Sequence, residues 1–202
     1  MHVRLSLITA DPLLLDDAIR YIEDEVRPLA ESQPGNLGMS LQANPELGVA
    51  IVETFWASHE ALRVSDRVVA PARSELVRRA NGTITVERYR LPVFEQEGRL
   101  GGGEGVRLTR MDVEPSGVED AIESFGDTIV PWLAESAGFR SARLFADSTS
   151  GHLISEDVWE DPHALAGSRS AAAVARVDAA ATDCAIRAVE EYVQVFSSVR
   201  KP

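Results

Sequence analysis

Apolar residues recur along this chain with two alternating periods, and that alternation lays out the elements. Residues 3–9 form a run rich in Leu, Val and Ile and read as a strand. Asp11-Pro12 then supplies a helix N-cap and a first-turn proline. Leu15, Ile19, Ile22, Val26 and Leu29 follow at spacings of 4, 3, 4 and 3, the stripe of an amphipathic helix. Pro28 is expected to kink or end that helix, and Gln33-Pro34-Gly35 to stop it. Residues 39–43 and 48–55 read as two strands joined by the turn residues Asn44-Pro45-Glu46. Ser58 caps a second helical region running toward Arg79, which Pro71 is expected to divide in two. After the Asn81-Gly82 turn, residues 84–91 read as a fourth strand.

The same pattern then returns at a constant offset of 103 residues. Leu5, Gly35, Glu53, Trp56, Leu62 and Tyr89 fall on Leu108, Gly138, Glu156, Trp159, Leu165 and Tyr192. Val118, Ile122, Phe125, Ile129 and Trp132 repeat the 4, 3, 4, 3 stripe, and Pro131 repeats Pro28. Ser116 and Glu119 have the spacing of a capping box. Asp161-Pro162 opens the last helix, and Cys184 is expected near its end as a packing residue.

A self-match at one offset divides the chain into two units, residues 1–95 and 105–202. Residues 96–104, with Gly98, Gly101, Gly102 and Gly103, read as a flexible linker. These glycines precede a strand rather than opening a helix, unlike those of a phosphate-binding loop. Each unit reads β-α-β-β-α-β, the ferredoxin-like unit, in which two helices cover one face of a four-stranded sheet. The fold class predicted is α+β, two tandem units packing bare sheet on bare sheet.

Composition narrows the partners. A net charge of −12 disfavours nucleic acid and anionic membranes. The single cysteine precludes an internal disulfide, and the four histidines show no ligand spacing, so no metal site is expected. The N-terminus enters a strand at once and no run is long and apolar enough for a membrane span, which predicts a cytoplasmic protein.

Glu53-Thr54-Phe55-Trp56 followed by Ala61-Leu62, and Glu156-Asp157-Val158-Trp159 followed by Ala164-Leu165, carry a resemblance that covers nearly the whole chain outside the linker. The chain resembles the dimeric α+β barrel superfamily in a fused two-domain form, specifically its antibiotic biosynthesis monooxygenase group. The resemblance implies an intramolecular barrel and, for activity, a cofactor-independent monooxygenase acting on a small aromatic or polyketide-like substrate. The alternative is a non-catalytic ligand-binding or scaffold protein on the same barrel. Haem-degrading relatives carry an Asn in the first strand and a His after the Trp. Ser6, Thr109, Ser65 and Ser168 stand near those places here, which points away from haem.

Glu53 and Glu156 lie among apolar neighbours, so each reads either as a general base or as a buried acid paired with an arginine such as Arg88, Arg90 or Arg143. His59 and His163 are further catalytic candidates, against the plainer reading of exposed helix-start residues. Trp56, Arg67, Trp159 and Arg169 are candidates for lining a pocket between sheet and helices, the arginines favouring an anionic or carbonyl-bearing ligand. The partners expected are therefore a small apolar or aromatic ligand and, through edge strands or helices, a second copy of the chain.

Overall fold

In the first half, strand β1 (His2–Thr9) pairs with β3 (Val49–Trp56), and β3 pairs with β2 (Asn36–Asn44), all antiparallel. The computed structural model describes the backbone of residues 1–180 and 184–200, and the side chains of all of these except 176–180. The helical run after β1 starts where its sequence predicts. Asp11 accepts a hydrogen bond from the Leu13 N–H, and Pro12 occupies the first turn of the short 3-10 segment Pro12–Leu14. Helix α1 (Leu15–Tyr21) follows, then a π-helical turn Ile22–Val26, then α2 (Arg27–Glu31).

That π-helical turn corrects the expectation for Pro28. The proline neither ends nor breaks the run. The preceding residue, Arg27, donates its N–H five residues back to the Ile22 carbonyl, a wide turn that slips the register just before a residue with no N–H to give. The second half repeats the device. A π-helical turn Phe125–Ile129, closed by Val130 N–H to the Phe125 carbonyl, joins α4 (Val118–Ser124) to α5 (Val130–Ala134), which contains Pro131.

Helix α3 (His59–Ala80) gives a second correction. It runs unbroken through Pro71, which is exposed. The interruption occurs instead in the other repeat, between α6 (Pro162–Gly167) and α7 (Arg169–Ala180), where no proline stands. The capping box does not form either. Pro115 starts a 3-10 segment at Pro115–Gly117 that takes in Ser116, and Glu119 is engaged by Arg90. The expected caps Ser58 and Asp161 do form, accepting from the Ala61 and Ala164 N–H groups. Cys184 lies directly before a strand, half-buried.

In the second half, β5 (Gly105–Asp112) pairs with β7 (His152–Trp159), and β7 with β6 (Phe139–Asp147). The last strand of the first repeat, β4 (Thr83–Gln96), runs well past the expected 84–91, and that of the second, β8 (Ala185–Ser197), is of similar length. The extension of β4 carries Pro92 at a register shift between Arg90 and Val93, where a missing N–H is tolerated. The eight strands are hydrogen-bonded in the order β1-β3-β2-β8-β5-β7-β6-β4, a closed barrel. Closure removes the edge strands through which a second copy could have been added.

Compact units follow the contacts rather than the repeat boundary. One comprises Met1–Tyr89 with the chain from Gln194 onward, the other Arg90–Val193, so β4 and β8 each change unit midway. The core of the first unit packs Ile8, Leu15, Ile22, Val26, Met39, Leu41, Val52 and Val69 between helices and sheet. That of the second packs Val118, Phe125, Leu133, Phe139, Leu144, Leu153 and Trp159. Gly35 and Gly138 enter β2 and β6 with φ of +79° and +82°, and a Cβ on either would lie within 3 Å of the Ala61 or Ala164 Cβ. Both the conformation and the close helix approach require glycine in each repeat.

Candidate functional site

Each repeat places an arginine in its first strand under its second helix, and both are buried, Arg4 to 2% and Arg107 to 1% exposure. Arg4 donates to the Leu62 carbonyl at 2.6 Å and the Ser65 hydroxyl at 2.8 Å, and pairs with Asp66 at 3.1 Å. Its guanidinium also stands 5.4 Å from the centre of the Trp56 ring. Arg107 donates to the Leu165 carbonyl at 3.1 Å and to Asp157 and Glu191, each at 3.2 Å. The carbonyl acceptors are themselves related by the 103-residue offset. The tryptophans are pinned in the same way in each repeat. Trp56 donates its indole N–H to the Thr54 hydroxyl at 2.9 Å, and Trp159 to the Asp157 carboxylate at 2.5 Å.

The charges around the two arginines are arranged differently. Asp66 on α3 is met by Arg73 and Arg88, whereas its counterpart on α7 is Arg169, met by Glu191 on β8. Burial pushes the Arg4 guanidinium down to about 10, against the pull of Asp66, and it stays protonated at neutral pH. Burial alone would raise Glu191, but hydrogen bonds from Arg169 and Arg107 outweigh it and hold the carboxyl below its ordinary value. Asp66 behaves likewise, with burial opposed by Arg88, Arg4 and Arg73.

Beside Arg107, between the sheet and helices of the second unit, lies a cavity of about 100 Å³. Met111, Phe125, Ile129, Trp132, Leu133 and Ile186 supply its apolar wall, and Ala172 and Ala175 of α7 its roof. Its polar wall is Arg107, Thr109, Ser155, Glu156 and Asp157. Thr109 and Ser155 are directly opposite each other on β5 and β7. Among the described residues neither side-chain hydroxyl has a hydrogen-bond partner. At the matching places of the first unit the space is occupied. Val52 stands for Ser155 and Val69 for Ala172, and both are buried core residues, as are Ile8, Ile22 and Val26.

The sequence candidates fall in several places. Glu53 and Glu156 are fully buried at the same register position of their repeats. Glu53 accepts from the Ser40 hydroxyl at 2.9 Å, and Glu156 from Arg143 at 2.7 Å. Arg88 and Arg90, the other arginines considered for these acids, pair with Asp66 and Glu119. Trp56 and Trp159 are buried in the layer between sheet and helices. His59 is exposed at the start of α3, its ring 5.6 Å from that of His2, and His163 is exposed on α6. Arg67 is exposed on α3, and Arg169 is 63% exposed and held by Glu191.

Of all these, Glu156 alone borders the cavity, through its strand, while its side chain turns to the opposite sheet face and Arg143. Arg107 and Ser155 are not among the sequence candidates, and Thr109 and Asp157 enter there only in the comparison with haem-degrading relatives and in the repeated motif, although Arg4 and Arg107 are themselves 103 residues apart, a charged pair inside an apolar strand pattern. Among the described residues no three His, Cys, Asp or Glu side chains gather as metal ligands. No described helix is long and apolar enough to cross a membrane.

No family model matches the sequence. Uncharacterised proteins of Mycobacterium tuberculosis are similar to it. One is 28% identical over 169 residues, covering 84% of this chain and 75% of that protein. Another is 28% identical over 177 residues, covering 87% and 75%. Among solved structures, an anthrone oxidase-like protein superposes with a TM-score of 0.69 at 18% identity, covering 98% of this chain and 92% of that one. A candidate monooxygenase of Fusobacterium nucleatum gives 0.70 at 13% identity, covering 96% and 91%. A candidate monooxygenase of Lactobacillus acidophilus gives 0.66 at 12% identity, covering 99% of both chains. The chain therefore has the two-repeat barrel fold of proteins related to the antibiotic biosynthesis monooxygenases.

Proposed function

We propose that the second unit is a small-molecule site, used as a cofactor-independent monooxygenase on a small aromatic substrate. The observation that carries this reading is the cavity between helices and sheet, with convergent polar groups on one wall, at a place the first unit fills with valines. The likeness to an anthrone oxidase-like protein supports the class of chemistry. The volume of about 100 Å³ favours one ring over a fused polycycle. A fitting net reaction is oxidation of a phenol to a para-quinone by molecular oxygen. One oxygen atom becomes the new carbonyl oxygen, and the two hydrogens lost from the substrate leave with the other as water.

A second reading, ligand binding without turnover, is favoured by one specific observation. The carboxylate on the cavity wall nearest Arg107, Asp157, already accepts from both Arg107 and Trp159 and is poorly placed to take a proton. Oxygen uptake by the full chain against a panel of substituted phenols and hydroquinones, with anthrone as the oversized member, separates the two. Turnover abolished by Ala172→Val supports the enzyme. Saturable binding of the same compounds with no oxygen consumed replaces it with the binding protein.

A further inference from the structure

The walls of the second unit's cavity are unequal in what they leave unsatisfied. Every charged group there is already engaged. Arg107 faces Asp157 and Glu191, Glu191 is also held by Arg169, and Glu156 is held by Arg143. A ligand anion would have to take Arg107 from two carboxylates, and an ion entering an apolar space without a counter-ion pays its full desolvation cost. The hydroxyls of Thr109 and Ser155 are different. They face each other across β5 and β7, each can donate one hydrogen bond and accept others, and neither has a partner among the described residues.

We infer that this cavity selects a neutral molecule of about one six-membered ring, anchored through a hydroxyl or carbonyl oxygen by the Thr109–Ser155 pair. The inference rests on the reading of the second unit as a ligand site and names the class of ligand. It departs from the anionic ligand suggested by Arg67 and Arg169, because neither lines the cavity and Arg169 is spent on Glu191. The remaining wall, from Met111, Phe125, Ile129 and Trp132, matches the apolar body of such a molecule. The first unit keeps a hydroxyl at Ser6 but sets Val52 where Ser155 stands, so the pair exists in one repeat.

The test is calorimetric titration of the full chain with phenol, toluene and benzoate. Phenol and toluene are expected to bind and benzoate to give no heat of binding. In the double variant Thr109→Val with Ser155→Ala, phenol is expected to weaken about tenfold, the worth of a neutral hydrogen bond or two, while toluene keeps its affinity. Retained toluene binding also shows that the variant is folded. Phenol affinity unchanged in the double variant, or benzoate binding as tightly as phenol, overturns the inference while leaving the site itself standing. Failure of all three probes to bind overturns the site and this inference together. Ala172→Val should abolish binding of phenol and toluene alike; binding that survives it lies elsewhere and also overturns the inference.

Discussion

Asp66 and Arg169 occupy the same position of the second helix in the two repeats with opposite charge, and the last strand of each repeat answers with the opposite sign, Arg88 or Glu191. The polarity of the pair is reversed, yet the buried first-strand arginine beneath it is kept. The consequence is unequal. Arg4 has Asp66 as its carboxylate partner, whereas Arg107 has both Asp157 and Glu191.

Asp66→Ala should therefore cost about 2–3 kcal/mol, because it leaves a buried guanidinium without its acid. Arg169→Ala, which removes an exposed cation from a pair near the surface, should cost under about 1 kcal/mol. Urea unfolding of the two variants checks this. Equal costs would mean that Asp66 serves Arg73 and Arg88 rather than the buried Arg4.

The buried acids Glu53 and Glu156 give a second contrast. Arg143→Ala strips an ionic partner from a fully buried carboxylate and should destabilise by about 3–5 kcal/mol. Ser40→Ala, at the equivalent position, removes one hydroxyl donor to Glu53 and should cost about 1–2 kcal/mol. A smaller loss for Arg143→Ala than for Ser40→Ala in the same assay would show that the guanidinium is not what holds Glu156.

The cavity predicts opposite signs for exchanging residues between the repeats. Ala172→Val adds two methyl groups to space already present, and should stabilise the protein by about 1 kcal/mol after the small helix-propensity cost of valine. Val69→Ala, its mirror in the first unit, removes packed methyl groups and should cost about 2 kcal/mol. Destabilisation by Ala172→Val would show that the cavity cannot take the side chain.

Acid stability follows from the depressed carboxyls. Asp66, Asp112 and Glu191 are all held below their ordinary values in the folded protein. Unfolded, such groups titrate near about 4. Their contribution is thus complete above that pH and is lost as pH falls through the lower folded values. The stability difference between the parent and Glu191→Gln should be constant from neutrality to about pH 5 and shrink as the pH falls through the lowered folded value. Denaturant midpoints across that range measure it. A difference that grows on acidification would reverse the assignment.

The helix stripes were legible because burial of one face imposes a period that the composition cannot hide, and the 103-residue offset multiplied the signal. The same offset already paired Arg4 with Arg107 and Thr54 with Asp157. Their meaning was hidden, since their partners, the Leu62 and Leu165 carbonyls and Glu191, arrive from 58 to 84 residues away. Pro71 was misleading because a proline's effect depends on which side of the helix faces water. Ser116 and Glu119 were misleading because Pro115 started the turn one residue too early for the box.

By itself the sequence determined the number of repeats, the order of elements within each, the glycines at Gly35 and Gly138 and the caps at Asp11, Ser58 and Asp161, all set by local periodicity and backbone stereochemistry. Tertiary structure alone decided the rest. The long strands β4 and β8 change unit midway because their later residues pair with strands of the other half. Whether Val52 or Ser155, Val69 or Ala172, closes or opens a space depends on helix and sheet meeting over it. A cavity is a property of packing between distant segments, and no single segment encodes it.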